Sequence, residues 1–440
     1  MPVELSERSA VETETMRRVT LRIIPFLMVC YFIAFVDRVN AGFAALQMNH
    51  DIGLSAAAFG LGGGLFYISY VICEVPSNLA MAKVGARIWI ARIMISWGIV
   101  AAGMALVVGP YSFYAVRLLL GAAEAGFFPG VILYLTYWFP AEYRGRIVAL
   151  FMVAIPLSSF LGSPMSAALL QLDGYGGFHG WQWMFVLEAV PAVILGIVSF
   201  FFLADGPANA GWLTEPQRKW LNGRLADERS SPAARVGHLS LWQVMANKYV
   251  LAASLIYAGA SGASQCLSLW QPQIIKSFGL TNMQTGLLNS IPFGVASLLM
   301  LFWGRNSDRM RERKWHTAVP LALLAASLAS APLTDALAPT LIILCVAVTA
   351  TYIVKGPFWA LATEWMSAGV AAAAIAQVNA IGNLGGFFGS YLLGAIKDAT
   401  GSYALGLMPL AALSAVGCVL VLSLGRREAR PETTALSGAH

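Results

Sequence analysis

Charged residues are scarce in this sequence. Asp, Glu, Lys and Arg together make up 11% of the 440 residues, whereas hydrophobic residues make up 58%. A soluble globular protein contains about 25% charged residues, and a chain of this length with so few of them cannot cover its surface with polar groups. The composition therefore excludes a soluble protein and predicts an integral membrane protein.

Patterns that support catalysis or metal binding are missing as well. The chain has only five cysteines, which lie far apart in apolar runs, and this spacing indicates small buried side chains rather than a metal site. It has no HExxH, no GxSxG at a strand–helix junction and no glycine-rich phosphate-binding loop with a lysine. We therefore expect no catalytic residues, no metal and no cofactor, and neither an enzyme nor an ATP-driven pump.

Long apolar runs are abundant by contrast. A helix needs about 20 residues to cross the hydrocarbon core of a membrane, and twelve runs fit a crossing helix. We place these spans near 21–45, 56–82, 88–109, 111–139, 146–171, 181–204, 249–275, 283–304, 315–333, 339–363, 371–396 and 402–424.

One long polar segment separates the sixth span from the seventh. We therefore predict an all-α integral membrane protein with twelve transmembrane helices in two pseudo-symmetric six-helix bundles. Its parts are a cytoplasmic tail at 1–20, an N-terminal bundle at 21–204, a cytoplasmic linker at 205–248, a C-terminal bundle at 249–425 and a cytoplasmic tail at 426–440.

Lysine and arginine are absent from one set of loops. With both termini in the cytoplasm, the outer loops 46–55, 172–180 and 334–338 contain neither residue, and only Lys276 and Lys397 fall outside. Because cytoplasmic loops carry an excess of Lys and Arg, we predict that both termini are cytoplasmic. The net charge of +6 follows from this bias, so the partner we expect is the lipid bilayer and not a nucleic acid.

Two short basic loops with a glycine occur at matching places in the halves. KVGAR follows the second span, and GRNSDRMRERK follows the eighth. Such a duplicated arrangement is typical of secondary transporters whose substrate site lies between the halves. The second loop resembles the signature loop of the major facilitator superfamily, whereas the first lacks the aspartate. The resemblance implies that the second loop helps control inward opening through Gly304, Asp308, Arg309 and Arg313.

Full charges occur inside the first and fourth spans. Asp37 and Arg38 are adjacent, and Arg117 and Glu124 are two helical turns apart and share one face. An ionised residue at this depth costs roughly 2.5 to 3.5 kcal/mol, so it must be paired or face water. We predict one ion pair in each span. The Asp37–Arg38 pair is predicted to be switchable, because protonation of the acid frees the arginine to bind a substrate carboxylate. The alternative is two structural ion pairs that lock helices together.

Longer motifs point to one family. They include DRVNAGFA, YVICEVPSNL, RLLLGAAEAGFFPG, GWQWMFVLEAVPA and NAIGNLGGFFG, in this order, and the similarity covers nearly all of 15–425. The chain resembles the anion:cation symporter family of the major facilitators, and within it the bacterial tartrate-transporter group. The resemblance implies a carrier in a bacterial inner membrane that imports a small organic anion by alternating access. We expect protons rather than sodium as the coupling ion, and a monomer.

The resemblance also implies roles for individual residues. Matched by position, Asp37 and Glu124 are the protonatable acids, and Arg38 and Arg117 contact the substrate. Further residues implied to line the cavity are Tyr70, Trp359 and either Asn379 or Asn383. For Tyr70 and Trp359, ordinary aromatic packing is the alternative.

Departures from the family pattern bear on the substrate. The fifth span reads MVAIPL where sugar-acid carriers have a glutamine, which favours a dicarboxylate or an aromatic carboxylate over a polyhydroxy acid. Gln271 stands where relatives carry an apolar residue and is a candidate substrate ligand. Lys355 is either a third cation for a dianion or a residue that snorkels or pairs with Glu364. An exporter or antiporter of metabolites or drugs on the same fold is the alternative function.

Two further acids in the spans receive structural interpretations. We expect Glu188 to hydrogen-bond backbone groups, and Glu74 to satisfy the helix that is kinked at Pro76. Glu74 is the reserve candidate for proton coupling.

Overall fold

The fold is described from a computed structural model, which covers residues 2–230, 245–365 and 371–424. Within these ranges the chain forms helices and turns and no strand. The predicted tail at 426–440 lies outside the described residues. The helices are α1 (Pro2–Asp51), α2 (Ala56–Val84), α3 (Ala86–Gly103), α4 (Pro110–Glu124), α5 (Phe127–Thr136), α6 (Ala141–Met152), α7 (Ala154–Leu169), α8 (Gly180–Phe202), α9 (Glu215–Ser230), α10 (Lys248–Lys276), α11 (Asn282–Met310), α12 (Lys314–Ser330), α13 (Leu337–Ile353), α14 (Lys355–Trp365), α15 (Ala371–Thr400), α16 (Tyr403–Gly406) and α17 (Met408–Leu424).

Each predicted span corresponds to one helix or to a broken helix pair. In the described part of the chain, ten stretches are long and apolar enough to cross a membrane by length and composition. The two other predicted spans are the pair α6–α7, in which neither helix is long enough alone, and α15. In α15, Gln377, Asn379 and Asn383 interrupt the apolar residues and lower the mean hydropathy. The predicted all-α membrane architecture is confirmed.

Two of the predicted cytoplasmic segments contain helix. Helix α1 runs from Pro2 to Asp51 without a break at residue 20, so the N-terminal tail continues directly into the first span. Within the described part of the predicted linker at 205–248, Glu215–Ser230 form α9. That helix is held against the N-terminal half by the ion pair of Arg144 with Glu228, whose atoms are 2.7 Å apart.

Among the described residues, three spans are interrupted well inside their length, and a proline follows each interruption; the twelfth span is broken near its start, between α16 and α17. Proline has no N–H to donate to the carbonyl four residues earlier, so Pro129, Pro156 and Pro357 leave three carbonyls without their usual partner. These breaks separate α4 from α5, α6 from α7 and α13 from α14. At the first break, Gly126 has a φ of +87°, which favours glycine. Broken spans of this kind expose backbone groups at membrane depth and commonly border a substrate site.

The two halves meet through the contacts of α1 with α10, α2 with α15 and α7 with α11. At one end, which we call the sealed end, the backbone N–H groups of Ala56 and Ala57 donate to Asp398 at 3.1 and 2.7 Å. One hydrophobic core joins both halves there, whereas the C-terminal half has a separate core towards the opposite end, which we call the tail end. The structure is therefore closed at the sealed end and less tightly joined at the tail end.

Glycine permits the close approach of α2 to α15 at the sealed end. A Cβ on Gly60 would lie 2.3 Å from the carbonyl oxygen of Ser390, and a Cβ on Gly394 would lie 2.2 Å from that of Ala56. Small residues at such positions let the two helix backbones pack directly against each other. The seal depends on these glycines.

The predicted gating loop joins α11 to α12. Arg313 lies 2.7 Å from Asp308 and donates to the hydroxyl of Ser307 at 2.9 Å, so two of the four predicted residues form one linked cluster. The other two, Gly304 and Arg309, do not belong to this cluster; Arg309 is exposed.

Glu312 closes the same loop. Burial raises the pKa of its carboxyl, but hydrogen bonds from the backbone N–H groups of Trp315 and His316 and from the His316 ring outweigh burial and hold the pKa below its usual range. Its contribution to stability is therefore present above the ordinary carboxyl pKa and is lost as the pH falls through the lowered value.

The matching loop between α2 and α3 obtains its carboxylate from elsewhere in the chain. Asp205, which follows α8, accepts a hydrogen bond from the backbone N–H of Arg87 at 3.0 Å and lies 3.9 Å from its Nε. The missing aspartate of KVGAR is thus supplied by a residue distant in sequence.

We expect Gly60→Ala to loosen the sealed end, because its methyl group would collide with the backbone of α15. Asn49 donates to Gln273 across the halves at 3.4 Å, so cysteines at these two positions should be joined by a short bifunctional thiol reagent in a background without native cysteines. Cross-linking should be several-fold slower in the Gly60→Ala variant.

Gly223→Ala is the matched control, since a Cβ at that position would meet nothing within 4 Å. Equal cross-linking rates in Gly60→Ala, Gly223→Ala and the parent would show that this helix contact does not hold the seal.

Candidate substrate site between the two halves

The charges of the first and fourth spans form one ion pair that links the two spans. Nε and Nη2 of Arg38 lie 2.6 and 2.5 Å from the same oxygen, Oε1, of Glu124. Glu124 is the last residue of α4, directly before the break that precedes α5. Its side chain is 3% exposed and that of Arg38 is 25% exposed. The acid is therefore buried, while the guanidinium keeps an accessible face.

The predicted ion pair between Asp37 and Arg38 is wrong. Consecutive residues on a helix point about 100° apart and do not face each other, so Asp37 faces α3 instead. Its Oδ2 accepts a hydrogen bond from the indole N–H of Trp97 at 2.7 Å, and its Oδ1 accepts one from Asn40 at 3.4 Å. Asp37 is buried inside the N-terminal half and turned away from Arg38.

The predicted pairing of Arg117 with Glu124 is also wrong, because Arg38 occupies the carboxylate. Arg117 donates instead to the backbone carbonyls of Gly62 and Gly63 on α2, at 3.3 and 3.2 Å. Among the side chains that the structure describes, no acid forms an ion pair with Arg117. A buried cation whose charge no carboxylate neutralises therefore lies one helix away from Arg38.

Aromatic rings support both arginines. The guanidinium carbons of Arg38 and Arg117 lie 5.7 and 4.9 Å from the centroid of Phe66, which brings the two cations to one ring. The ring of Tyr70 lies 5.4 Å from Arg38, so this predicted cavity residue is at the site. Cations over aromatic faces are attracted by the ring quadrupole, which offsets part of the cost of burying two arginines.

Lys355 is a third cation, next to the break in the tenth span. It begins α14, directly after the break in the tenth span, and its Nζ lies 4.4 Å from the ring centroid of Tyr352. The predicted alternative, an ion pair with Glu364, is not formed between these described residues. Glu364 is exposed.

Polar residues of α10 and α15 form the facing wall. Gln265 donates from Nε2 to Asn383 at 2.9 Å and to the hydroxyl of Ser261 at 3.3 Å. Gln265 was not predicted from the sequence. The available signal was its spacing from Ser261, since residues four apart share one helix face.

Asn379, the other predicted asparagine, has a different partner. Its Nδ2 donates to Glu74 on α2 at 3.1 Å, which joins the two halves nearer the tail end. Glu74 therefore accepts a hydrogen bond from the opposite half, and the prediction that it serves its own kinked helix is wrong.

Two predicted substrate residues are held by packing in this conformation. Gln271 is fully buried and donates to the backbone carbonyl of Asn289 at 3.4 Å, so it is not brought to the arginines. The Trp359 ring packs 5.0 Å from Tyr257 and 5.3 Å from Phe358, as expected for ordinary aromatic packing, and is partly exposed.

Glu188 is a buried residue of α8, in the same half of the protein as Asp37. Its Oε1 accepts a hydrogen bond from the hydroxyl of Ser166 at 2.7 Å, so its partner is a side chain and the predicted backbone partner is wrong. Within the described residues, its second oxygen has no hydrogen-bond partner.

The site has an excess of positive charge. Arg38 and Arg117 lie beside one aromatic ring, and Glu124 is the acid bound to Arg38. Among the described residues, no group of three His, Cys, Asp or Glu side chains is placed to hold a metal ion. The arrangement can bind an anion, and it can release an arginine to that anion when Glu124 becomes neutral.

Known proteins are similar to this chain over most of its length. Residues 27–390 match the sequence profile of the Major Facilitator Superfamily. A protein of Agrobacterium vitis named "Putative tartrate transporter" is 49% identical over 418 residues, which cover 95% of this chain and 96% of that protein. A quinolone resistance transporter of Acinetobacter baumannii is 38% identical over 426 residues, which cover 96% of this chain and 97% of that protein.

Solved structures share the fold. A bacterial homologue of the human lysosomal transporter Spinster, in an inward-facing and unoccupied conformation, matches with a TM-score of 0.73 and 16% identity, over 93% of this chain and 95% of that chain. At this identity the likeness supports the fold alone. The sequence relatives are transport proteins and not enzymes, and their similarity extends over almost the whole chain. The chain therefore belongs to the major facilitator superfamily of multi-pass membrane transporters.

Proposed function

We propose that this protein is a proton-coupled symporter that imports a small organic anion by alternating access. The observation that carries the proposal is the ion pair of Arg38 with Glu124. In this pair a buried carboxylate is bound by an arginine that is still accessible. A substrate carboxylate competes with Glu124 for Arg38, because the guanidinium can bind either partner bidentately. The anion therefore binds best when a proton has neutralised Glu124.

Arg117 supplies the attraction that does not depend on protonation. It is already held in place by the carbonyls of Gly62 and Gly63, and its remaining N–H donors have no carboxylate partner among the described residues. A positioned guanidinium loses little freedom when it binds a carboxylate. Arg117 thus orients the substrate, and Arg38 links binding to the proton.

Asp37 is the second acid in the proposed coupling. It is buried, it accepts hydrogen bonds from Trp97 and Asn40, and it shares α1 with Arg38. Its protonation acts through the position of α1 and not through a direct ion pair. A proton is preferred to sodium because the described acids near Arg38 are bound separately, Glu124 by Arg38 and Glu74 by Asn379, and are not grouped as oxygen ligands.

A small dicarboxylate suits the charges of the site best. Arg38 and Arg117 lie beside one ring, and we infer that Lys355 borders the same cavity, so one carboxylate of the substrate can bind the two arginines while a second reaches Lys355. An aromatic carboxylate is the other candidate, because Tyr70, Tyr257 and Trp359 offer ring surfaces. The Agrobacterium vitis relative carries tartrate in its name, which agrees with the dicarboxylate.

Export is the second candidate function, and it rests on the similarity to a quinolone resistance transporter. Cavity arginines disfavour a cationic drug but do not set the direction of transport. We propose that both termini are cytoplasmic, because Lys and Arg are concentrated in the segments on that side. A monomer in a bacterial inner membrane is what the family resemblance implies.

Glu124→Gln should separate exchange from net uptake in proteoliposomes. The amide imitates the protonated acid and leaves Arg38 free, so exchange of radiolabelled tartrate for unlabelled tartrate should continue. Uptake driven by a pH gradient should fall to the level without a gradient, because the empty carrier can no longer release a proton inside.

Glu364→Gln is the control, since Glu364 is an exposed acid of α14, and it should retain both activities. Gradient-driven accumulation by the Glu124→Gln carrier would remove Glu124 from the coupling. Loss of exchange together with uptake would mean that the ion pair is structural. A wild-type carrier that moves tartrate only outward would favour export.

Lys355→Met should abolish the preference for a second carboxylate. Tartrate affinity should fall about tenfold or more, the effect of losing one hydrogen bond to a charged group, whereas affinity for threonate, which carries a hydroxymethyl group in place of one carboxylate, should be unchanged. Calorimetry on the purified protein measures both, with Lys83→Met, an exposed lysine, as the control. Equal losses for the two ligands would show that Lys355 does not bind the second carboxylate.

A further inference from the structure

A basic groove lies at the tail end of the N-terminal half, outside the candidate substrate site. It has a volume of about 630 Å³ between the start of α1, the end of α8 and the connection to α9. An adjoining groove of about 610 Å³ shares three of its residues and adds Arg87 and Asp205. The residues that define this basic groove are Arg17, Arg18, Arg22, Phe26, Phe202 and Trp212.

Aromatic side chains fix the floor of the basic groove. The guanidinium of Arg22 lies 4.6 Å from the ring centroid of Phe202 and 5.2 Å from that of Trp212. Phe202 packs 4.6 Å from Phe26, and Trp212 stacks 5.4 Å from Trp138 at an interplanar angle of 16°. The cation therefore rests on rings that are themselves packed in place.

Two arginines of the grooves have no acidic partner among the described side chains. Glu14 lies 3.8 Å from Arg17, and Asp205 lies 3.9 Å from Arg87. Arg18 and Arg22 are exposed, and neither forms an ion pair with a side chain that the structure describes. The groove thus presents two cations that no acid of the described chain neutralises.

The borders of the groove are apolar and exposed. Leu21 is 64% exposed and Phe201 is 79% exposed, and each is adjacent in sequence to a groove residue. Because the predicted first span begins near residue 21 and the predicted sixth span ends near residue 204, we expect the groove to lie at the level of the lipid head groups, with the exposed apolar side chains beside the acyl chains. Basic pockets beside transmembrane helices at this depth suit acidic lipid head groups.

We propose that this groove binds the phosphate of an acidic phospholipid. Arg18 and Arg22 contact the phosphate oxygens, and the acyl chains lie over Leu21 and Phe201. The bound lipid bridges α1 to the connection that carries Trp212, so it holds the beginning of the 205–248 segment against the N-terminal bundle. The expected ligand is a phospholipid and not free phosphate, because both cations lie beside exposed apolar side chains.

Thermal unfolding of the full chain in a neutral detergent tests this proposal. Phosphatidylglycerol should raise the unfolding temperature, whereas phosphatidylcholine with the same acyl chains and inorganic phosphate should not. Arg18→Gln and Arg22→Gln should each weaken the dependence on phosphatidylglycerol concentration about fivefold, the typical contribution of one cation near an acidic membrane surface. Arg305→Gln removes an exposed arginine of α11 and is the matched control.

Native mass spectrometry of the same variants counts the retained lipids and does not depend on changes in intrinsic stability. Wild type and Arg305→Gln should retain one more phosphatidylglycerol than Arg18→Gln,Arg22→Gln. Equal retention in all three proteins would overturn the site. Equal stabilisation by phosphatidylcholine would overturn the requirement for acidic lipid, and equal stabilisation by inorganic phosphate would overturn the lipid as its source.

Discussion

A carboxylate buried at membrane depth is stable only while a cation or a proton neutralises it. In this protein Arg38 neutralises Glu124, and much of the surrounding structure holds the two residues together. The fourth span breaks after Glu124, the first span turns Asp37 away, and Phe66 lies beside both arginines. Because the same guanidinium can serve a substrate carboxylate, one contact can connect the proton, the anion and the position of two helices.

The contacts between the halves determine from which side of the membrane a solute can reach that ion pair. Glycines of α2 and α15 bring two backbones together at the sealed end, and Asp398 caps the start of α2 from the opposite half. Towards the tail end the C-terminal half has its own core. Alternating access requires that the contacts at the sealed end can open while new contacts form at the tail end.

Composition and motifs were sufficient to predict the architecture and the residue types of the site, but not the pairing of its charges. Low charge and twelve apolar runs specify helices in a membrane, and the charged positions stand out because so few exist. The partner of Arg38 was mispredicted because neighbours in sequence diverge on a helix. Gln271 was predicted because it departs from the family pattern, but a single sequence does not reveal which face of α10 meets the other half. The carboxylate of Asp205 was missed because it reaches KVGAR only after folding.

Proton uptake on substrate binding tests the competition for Arg38 most directly. Calorimetric titration of the purified protein with tartrate, in buffers of different ionisation enthalpy, gives the number of protons taken up per anion bound. The account predicts that the wild type takes up protons on binding and that Glu124→Gln binds tartrate with much less uptake or none. Binding without proton uptake in the wild type, or uptake unchanged in Glu124→Gln, would contradict the claim that anion and proton meet at this ion pair.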